Sequence, residues 1–121
     1  MSNLKKLQKE AWQYYKTWMK EKTYCPALGR DIEITWNGWN HLAIGSNKRK
    51  RRIKDRINKL SLLKAAKYVI KSGKLSQEKH PTDKRIIVLE GRFPGKKSLD
   101  IRVILKKDLA NRVIFFSVMK T

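Results

Sequence analysis

The stretch LDIRVILKK, residues 99–107, alternates: Leu99, Ile101, Val103 and Leu105 fall on one parity, and Asp100, Arg102, Ile104 and Lys106 on the other. A period of two belongs to a strand with one buried and one polar face. Short turn segments flank it, PGKK before and DLAN after, and beyond them lie two more apolar runs, RIIVLEGRF (85–93) and RVIFFSVM (112–119). Parallel neighbours need a long crossover, which turns of this length do not provide. Everything after Pro81 is therefore expected as an antiparallel β-meander of three to four strands, with Leu99, Ile101, Val103 and Leu105 facing the core.

The N-terminal part changes period. Between Leu4 and Lys20 the apolar residues Leu4, Leu7, Ala11, Tyr14, Tyr15 and Trp18 recur at steps of three and four, with Lys5, Lys6, Lys9, Lys16 and Lys20 opposite. That predicts an amphipathic helix over 1–22. CPALGRD (25–31) is a break, because Pro26 and Gly29 both resist a continuing helix. IEIT (32–35) alternates as a short strand, and Thr35 or Asn37 can cap a short helix carrying Trp36, Trp39, His41 and Leu42. On that helix Gly38 and Leu42 share a side, and His41 lies about 100° round from Leu42. GSNKRKRR (45–52) is a basic loop, expected as solvated or as a simple affinity patch. The stripe Ile53, Ile57, Leu60, Leu63, Ala66 and Ile70 predicts a helix to Lys71, stopped by Gly73. The expected class is α+β: N-terminal helices on one face of a C-terminal meander, as a single domain over 1–121.

Charge narrows the partners. Thirty Lys and Arg against ten Asp and Glu leave a net +20. Such a chain repels itself and attracts polyanions, nucleic acid first among them, with an anionic membrane surface and an acidic protein as alternatives. No apolar run approaches the length of a membrane span, and the N-terminus does not read as a secretory signal. The single cysteine, Cys25, excludes an internal disulfide and a cysteine-cluster zinc site, which fits a reducing cytoplasm or a domain delivered into one.

The chain lacks a phosphate-binding glycine loop, a nucleophile elbow and a carboxylate cluster for two metals. No metal and no cofactor is expected. For a basic protein acting on nucleic acid, metal-free RNA cleavage is the economical chemistry, because RNA brings its own nucleophile, the 2′-OH. The protein then supplies a general acid or base and cations for the developing phosphorane. Histidine suits the first role, with an unperturbed pKa of about 6.5. There are two histidines. His41 follows WNGWN and is the first choice; His80, in QEKHPTDKR, is the second.

The CPALG segment, IEITWNGWNHL, a basic stretch, a long helix and a terminal meander ending in FFSVM together resemble the barnase–EndoU–colicin–RelE superfamily of small ribonucleases. The likeness is nearest to its phage-associated branch, whose members often form toxin domains at the ends of larger proteins. It spans most of 23–121 and rests on Gly38, Trp39 and His41 and on Ser117 and Met119. The resemblance implies a metal-independent endoribonuclease that cleaves RNA, tRNA among the candidates, through a 2′,3′-cyclic phosphate. It implies that the Ser117 hydroxyl bonds the scissile phosphate, and that the producing cell needs an acidic immunity or antitoxin protein.

Further cations can be named from position. Arg102 and Lys106 share the polar face of the middle strand, and Arg85 and Arg92 bracket the first. Arg102 is assigned to catalysis with His41 and Ser117; Arg85, Lys106, Arg92 and Trp36 are assigned to substrate. Each has a plainer reading. A polar strand face is usually just solvated, a loop histidine likewise, and tryptophans more often fill cores than stack on bases. Trp39 goes to the core and Trp36 stays open. On a period of two, Ser117 lies with Val113, Phe115 and Met119. The competing function is a non-catalytic basic module that binds nucleic acid, with His41 structural.

Overall fold

A computed structural model describes residues 3–43, 59–76, 83–95 and 98–121. His80, the basic run Lys48–Arg52 and the positions of Ile53 and Ile57 lie outside the described residues. The elements run α1 (Asn3–Met19), β1 (Thr23–Cys25), β2 (Arg30–Ile32), α2 (Trp36–Ala43), α3 (Leu63–Ser72), β3 (Lys74–Leu75), β4 (Ile86–Phe93), β5 (Leu99–Lys107) and β6 (Val113–Lys120). The fold is α+β, with a four-stranded antiparallel sheet ordered β3-β4-β5-β6 and a separate β1-β2 hairpin.

The middle strand behaves as its alternation requires. Ile101, Val103 and Leu105 are buried, Leu99 is half-buried, and Asp100, Arg102, Ile104 and Lys106 occupy the other face. Cross-strand pairing carries that parity into β4, where Ile87, Leu89, Gly91 and Phe93 share the core side. α3 covers it with Leu63, Ala66, Val69 and Ile70. Glycine is required where α3 ends: a Cβ on Gly73 would stand 2.6 Å from the Val69 carbonyl oxygen and 2.7 Å from that of Glu90.

Three local features depart from the pattern read above. The strand expected at 32–35 lies at Arg30–Ile32 and pairs with an unforeseen β1, because Gly29, at φ +66°, closes a tight turn back onto Cys25. The helix expected from 53 is interrupted at Leu62, after a helical turn at 59–61. Leu60, Leu62 and Leu63 are all buried, and three such positions cannot share one face of a straight helix. A short β3 follows Gly73, so the fourth strand comes from before Pro81 rather than after it.

α1 meets the rest of the molecule through rings. Tyr15 and Trp18 are fully buried, and each packs against Phe115, at centroid distances of 6.4 and 5.2 Å. Trp12, which the helical stripe omitted, lies 5.1 Å from Trp39. Buried polar groups inside this cluster are satisfied: the Trp18 indole N–H donates to Thr23 Oγ1 at 2.8 Å.

Candidate functional site

The helix bearing His41 starts at a capping threonine. Thr35 Oγ1 accepts the Gly38 N–H at 3.2 Å, and the Thr35 carbonyl accepts both the Trp39 N–H at 3.2 Å and the Tyr15 hydroxyl at 2.6 Å. Burial pushes the Tyr15 phenol well above its ordinary pKa, so it stays a neutral donor. Gly38 lets this helix settle onto β6: a Cβ there would lie 2.6 Å from the Phe115 carbonyl oxygen and 2.8 Å from the Tyr15 hydroxyl. Leu42 and Trp39 face inward. His41, one step round the helix, is half-buried and stacks on Phe116, with centroids 3.9 Å apart and planes 26° apart.

β6 presents that ring because its register slips. Ile104 pairs with Ser117 and Leu105 with Phe115, so Phe116 is the extra residue of a bulge. The slip also corrects the parity expected for Ser117. Upstream of it, Val113 and Phe115 point to the core; downstream, Ser117 pairs with Ile104 and Met119 with Arg102, on the polar face. Ser117 is nevertheless buried, since Lys59 reaches over it, donating to Ser117 Oγ at 3.1 Å and to the Val118 carbonyl at 2.7 Å. The Lys106 ammonium stands 5.4 Å from the Phe116 ring centroid. His41, Phe116, Ser117, Lys59 and Lys106 thus form one neighbourhood at the β6 edge.

The other candidates are elsewhere. Arg102 bonds Glu90 Oε1 at 3.2 Å, and Ser76 donates to the same oxygen at 2.6 Å. Arg102 and Glu90, with Lys74 and Asp100, line an open cleft of about 610 Å³ that does not include His41. Arg92 pairs with Asp100 at 3.0 Å, toward the far end of the sheet. Arg85 pairs with Asp83 at 3.3 Å, and the Arg85 backbone N–H, foremost, holds that carboxyl below the usual carboxylate range. Trp36 is 55% exposed and rests edge-on against Trp12, at 5.2 Å. It begins the helix that His41 nearly ends.

Sequence reasoning singled out neither Phe116 nor Lys59. Neither carried a signal: two adjacent phenylalanines hide which one faces the core, and Lys59 is one basic residue among many. Among the described residues no group of three or more His, Cys, Asp or Glu is placed to hold a metal ion, and no described helix is long and apolar enough to cross a membrane.

The α+β architecture, with a histidine stacked at a bulged strand edge, defines the class of the fold and its candidate site. Residues 2–114 match the family model of the large polyvalent protein-associated domain 3, and the chain belongs to that family. Neither a curated protein nor a solved structure matches it.

Proposed function

We propose that this chain is a metal-independent endoribonuclease domain whose proton-transfer group is His41. The observation that carries the reading is the stack of His41 on Phe116, with Lys106 near the same ring and the Lys59–Ser117 pair one residue on. In the reaction the 2′-OH attacks phosphorus, the bond to O5′ breaks, and the products are a 2′,3′-cyclic phosphate and a 5′-OH end. His41 takes the 2′-OH proton while water protonates O5′, or it protonates O5′ while water takes the 2′-OH proton. The ammonium groups of Lys59 and Lys106 belong to the same neighbourhood and balance the extra negative charge on phosphorane oxygens. Ser117 offers its hydroxyl to the same phosphate. Arg102, bonded to Glu90, lines the open cleft of the sheet.

The resemblance to small ribonucleases supports this reading. A domain of that kind works in a cytoplasm, and an acidic immunity or antitoxin protein is the partner that would restrain it. The competing reading, a non-catalytic module for nucleic acid, is favoured by one observation. Arg85, Arg92 and Arg102 are each paired with a carboxylate, so none of these three is dedicated to a reacting phosphate.

Purified protein incubated with total RNA in excess EDTA, with cut ends mapped, separates the two. The nuclease reading expects 2′,3′-cyclic phosphate ends and a rate that His41→Ala lowers by about 10²–10⁴-fold while RNA binding persists. A folded His41→Ala protein that cuts at the wild-type rate makes His41 structural. Uncut RNA with both proteins leaves the binding module.

A further inference from the structure

The acids of the sheet gather around its arginines: Asp83 at Arg85, Asp100 at Arg92, Glu90 at Arg102, and Asp108 with Glu33 at Arg112. The outer face of α1 is the opposite case. Lys5, Lys9, Lys16 and Lys20 are all exposed. At about 100° per residue Lys5, Lys9 and Lys16 line up with Gln13 on the side away from Ala11, Tyr15 and Trp18, and Lys20, one residue past the helix end, extends the row to about 22 Å. Among the described residues no ion pair holds Lys9, Lys16 or Lys20. Excess positive charge of the described molecule is displayed here, on the far side of α1 from the core.

An aromatic flanks the row. Trp12 lies one helical turn from Lys16, so the two are surface neighbours. Trp36 stands nearly perpendicular to Trp12, at 81°, and leaves more than half of its surface in solvent. An indole fixed by a neighbouring ring and open on its other side is a ready platform for one base, and stacking of this kind needs no particular sequence. Bases are free to stack in this way only in a single strand, since in a duplex they already stack on one another.

We propose that the outer face of α1, flanked by Trp36, is a docking track for single-stranded nucleic acid, with phosphates along the lysine row and a base on Trp36. The inference rests on the nuclease reading and deepens it by giving the substrate a path that begins outside the cleavage site. His41 follows Trp36 by about 7.5 Å along α2 and about 140° around it, so a strand leaving the track must wrap that helix to reach the histidine.

The test uses the whole chain and a labelled single-stranded DNA of roughly 20 nucleotides, which offers phosphates and bases but no 2′-OH to cut. Anisotropy titrations across a salt series give the slope of log affinity against log salt. The variant Lys5→Gln, Lys9→Gln, Lys16→Gln, Lys20→Gln should lower that slope by about 3, at about 0.7 for each phosphate no longer neutralised. Trp36→Ala should weaken binding about ten- to a hundredfold, and Trp36→Phe should restore most of it. Removing two exposed lysines outside the row, Lys71→Gln with Lys74→Gln, should move the slope far less. An unchanged slope in the four-lysine variant overturns the proposal. So does a variant that keeps the oligonucleotide but loses binding to phosphatidylserine vesicles, because the row would then serve a membrane surface. A slope that falls while total RNA stays uncut upholds the track and removes the nuclease reading alone.

Discussion

At position 38, two effects of one methyl group oppose each other. Alanine favours a helix over glycine by about 1 kcal/mol, yet its Cβ would meet the Phe115 carbonyl at 2.6 Å, backbone that cannot swing aside. Overpacking of this kind costs about 1–3 kcal/mol, so the clash wins. Gly38→Ala should therefore lower stability in urea unfolding. It should also disturb the His41 environment, seen as a shifted imidazole resonance. Tyr15 gives a pH-linked counterpart. Its folded pKa is raised above 10, so the stability it contributes is whole below pH 10 and is lost as pH climbs past it. Wild-type protein should lose stability on that alkaline limb, and Tyr15→Phe should flatten the limb. The same change costs about 0.5–1.5 kcal/mol at neutral pH by removing the bond to Thr35. Of these residues, Gly38 and Leu42 were legible as one side of a short helix, and Thr35 as a cap. What Gly38 approaches was not, because the partner atom is backbone and carries no sequence signature.

Among the elements, the β5–β6 turn does more than reverse the chain. Asp108 Oδ1 accepts the N–H groups of Ala110 and Arg112, each at 2.9 Å, while Oδ2 accepts Arg112 Nε at 2.8 Å. Arg112 also lies 3.4 Å from Glu33, and Arg30 donates to the Asn111 carbonyl at 2.6 Å, so the turn ties β6 to the end of β2. The Arg112 backbone N–H, above all, holds the Asp108 carboxyl below its ordinary pKa. Its contribution is present above the ordinary carboxylate range and is lost as pH falls through the folded value. Asp108→Ala should accordingly remove part of the acid limb of the unfolding curve. Faster amide exchange at Ala110, Arg112 and Phe115 should accompany it. Asn111 sits at φ +65° in this turn, a conformation that costs a β-branched residue roughly 1–2 kcal/mol. Asn111→Val should lose about that much in urea unfolding, and Asn111→Gly should lose nothing. The turn itself was legible as DLAN, and the β5 alternation made the meander legible with it. The three-residue strands of the first hairpin are too short to show a period of two. The bulge at Phe116 left no trace either, since two adjacent phenylalanines look the same whichever faces the core; the inverted parity of Ser117 follows from that.

At the scale of the whole molecule, a net +20 works against compaction. The exposed arginine–carboxylate pairs gain little, about 0–1 kcal/mol each, and screening them costs correspondingly little. Self-repulsion is the larger quantity that salt removes. The melting temperature should therefore rise between about 20 and about 300 mM salt, over which the Debye length falls severalfold. A falling melting temperature would place the ion pairs above the repulsion. Nucleic-acid affinity should move the opposite way over the same range.

The bridge between Glu33 and β6 has a consequence for how the chain acquires its structure. Glu33 N–H donates to the Val113 carbonyl and Phe115 N–H to the Glu33 carbonyl, both at 2.9 Å, while Arg30 and Asn111 join across 81 residues. His41 and Phe116 meet at the end of the same seam. Contacts this distant along the chain form only after a large loop has closed, which makes folding slow and the nascent state long-lived. A ribosome-bound chain that has not yet released β6 has a histidine with no ring to stack on. The neighbourhood around His41 waits on β6, so this edge assembles only after that strand has been synthesised and docked.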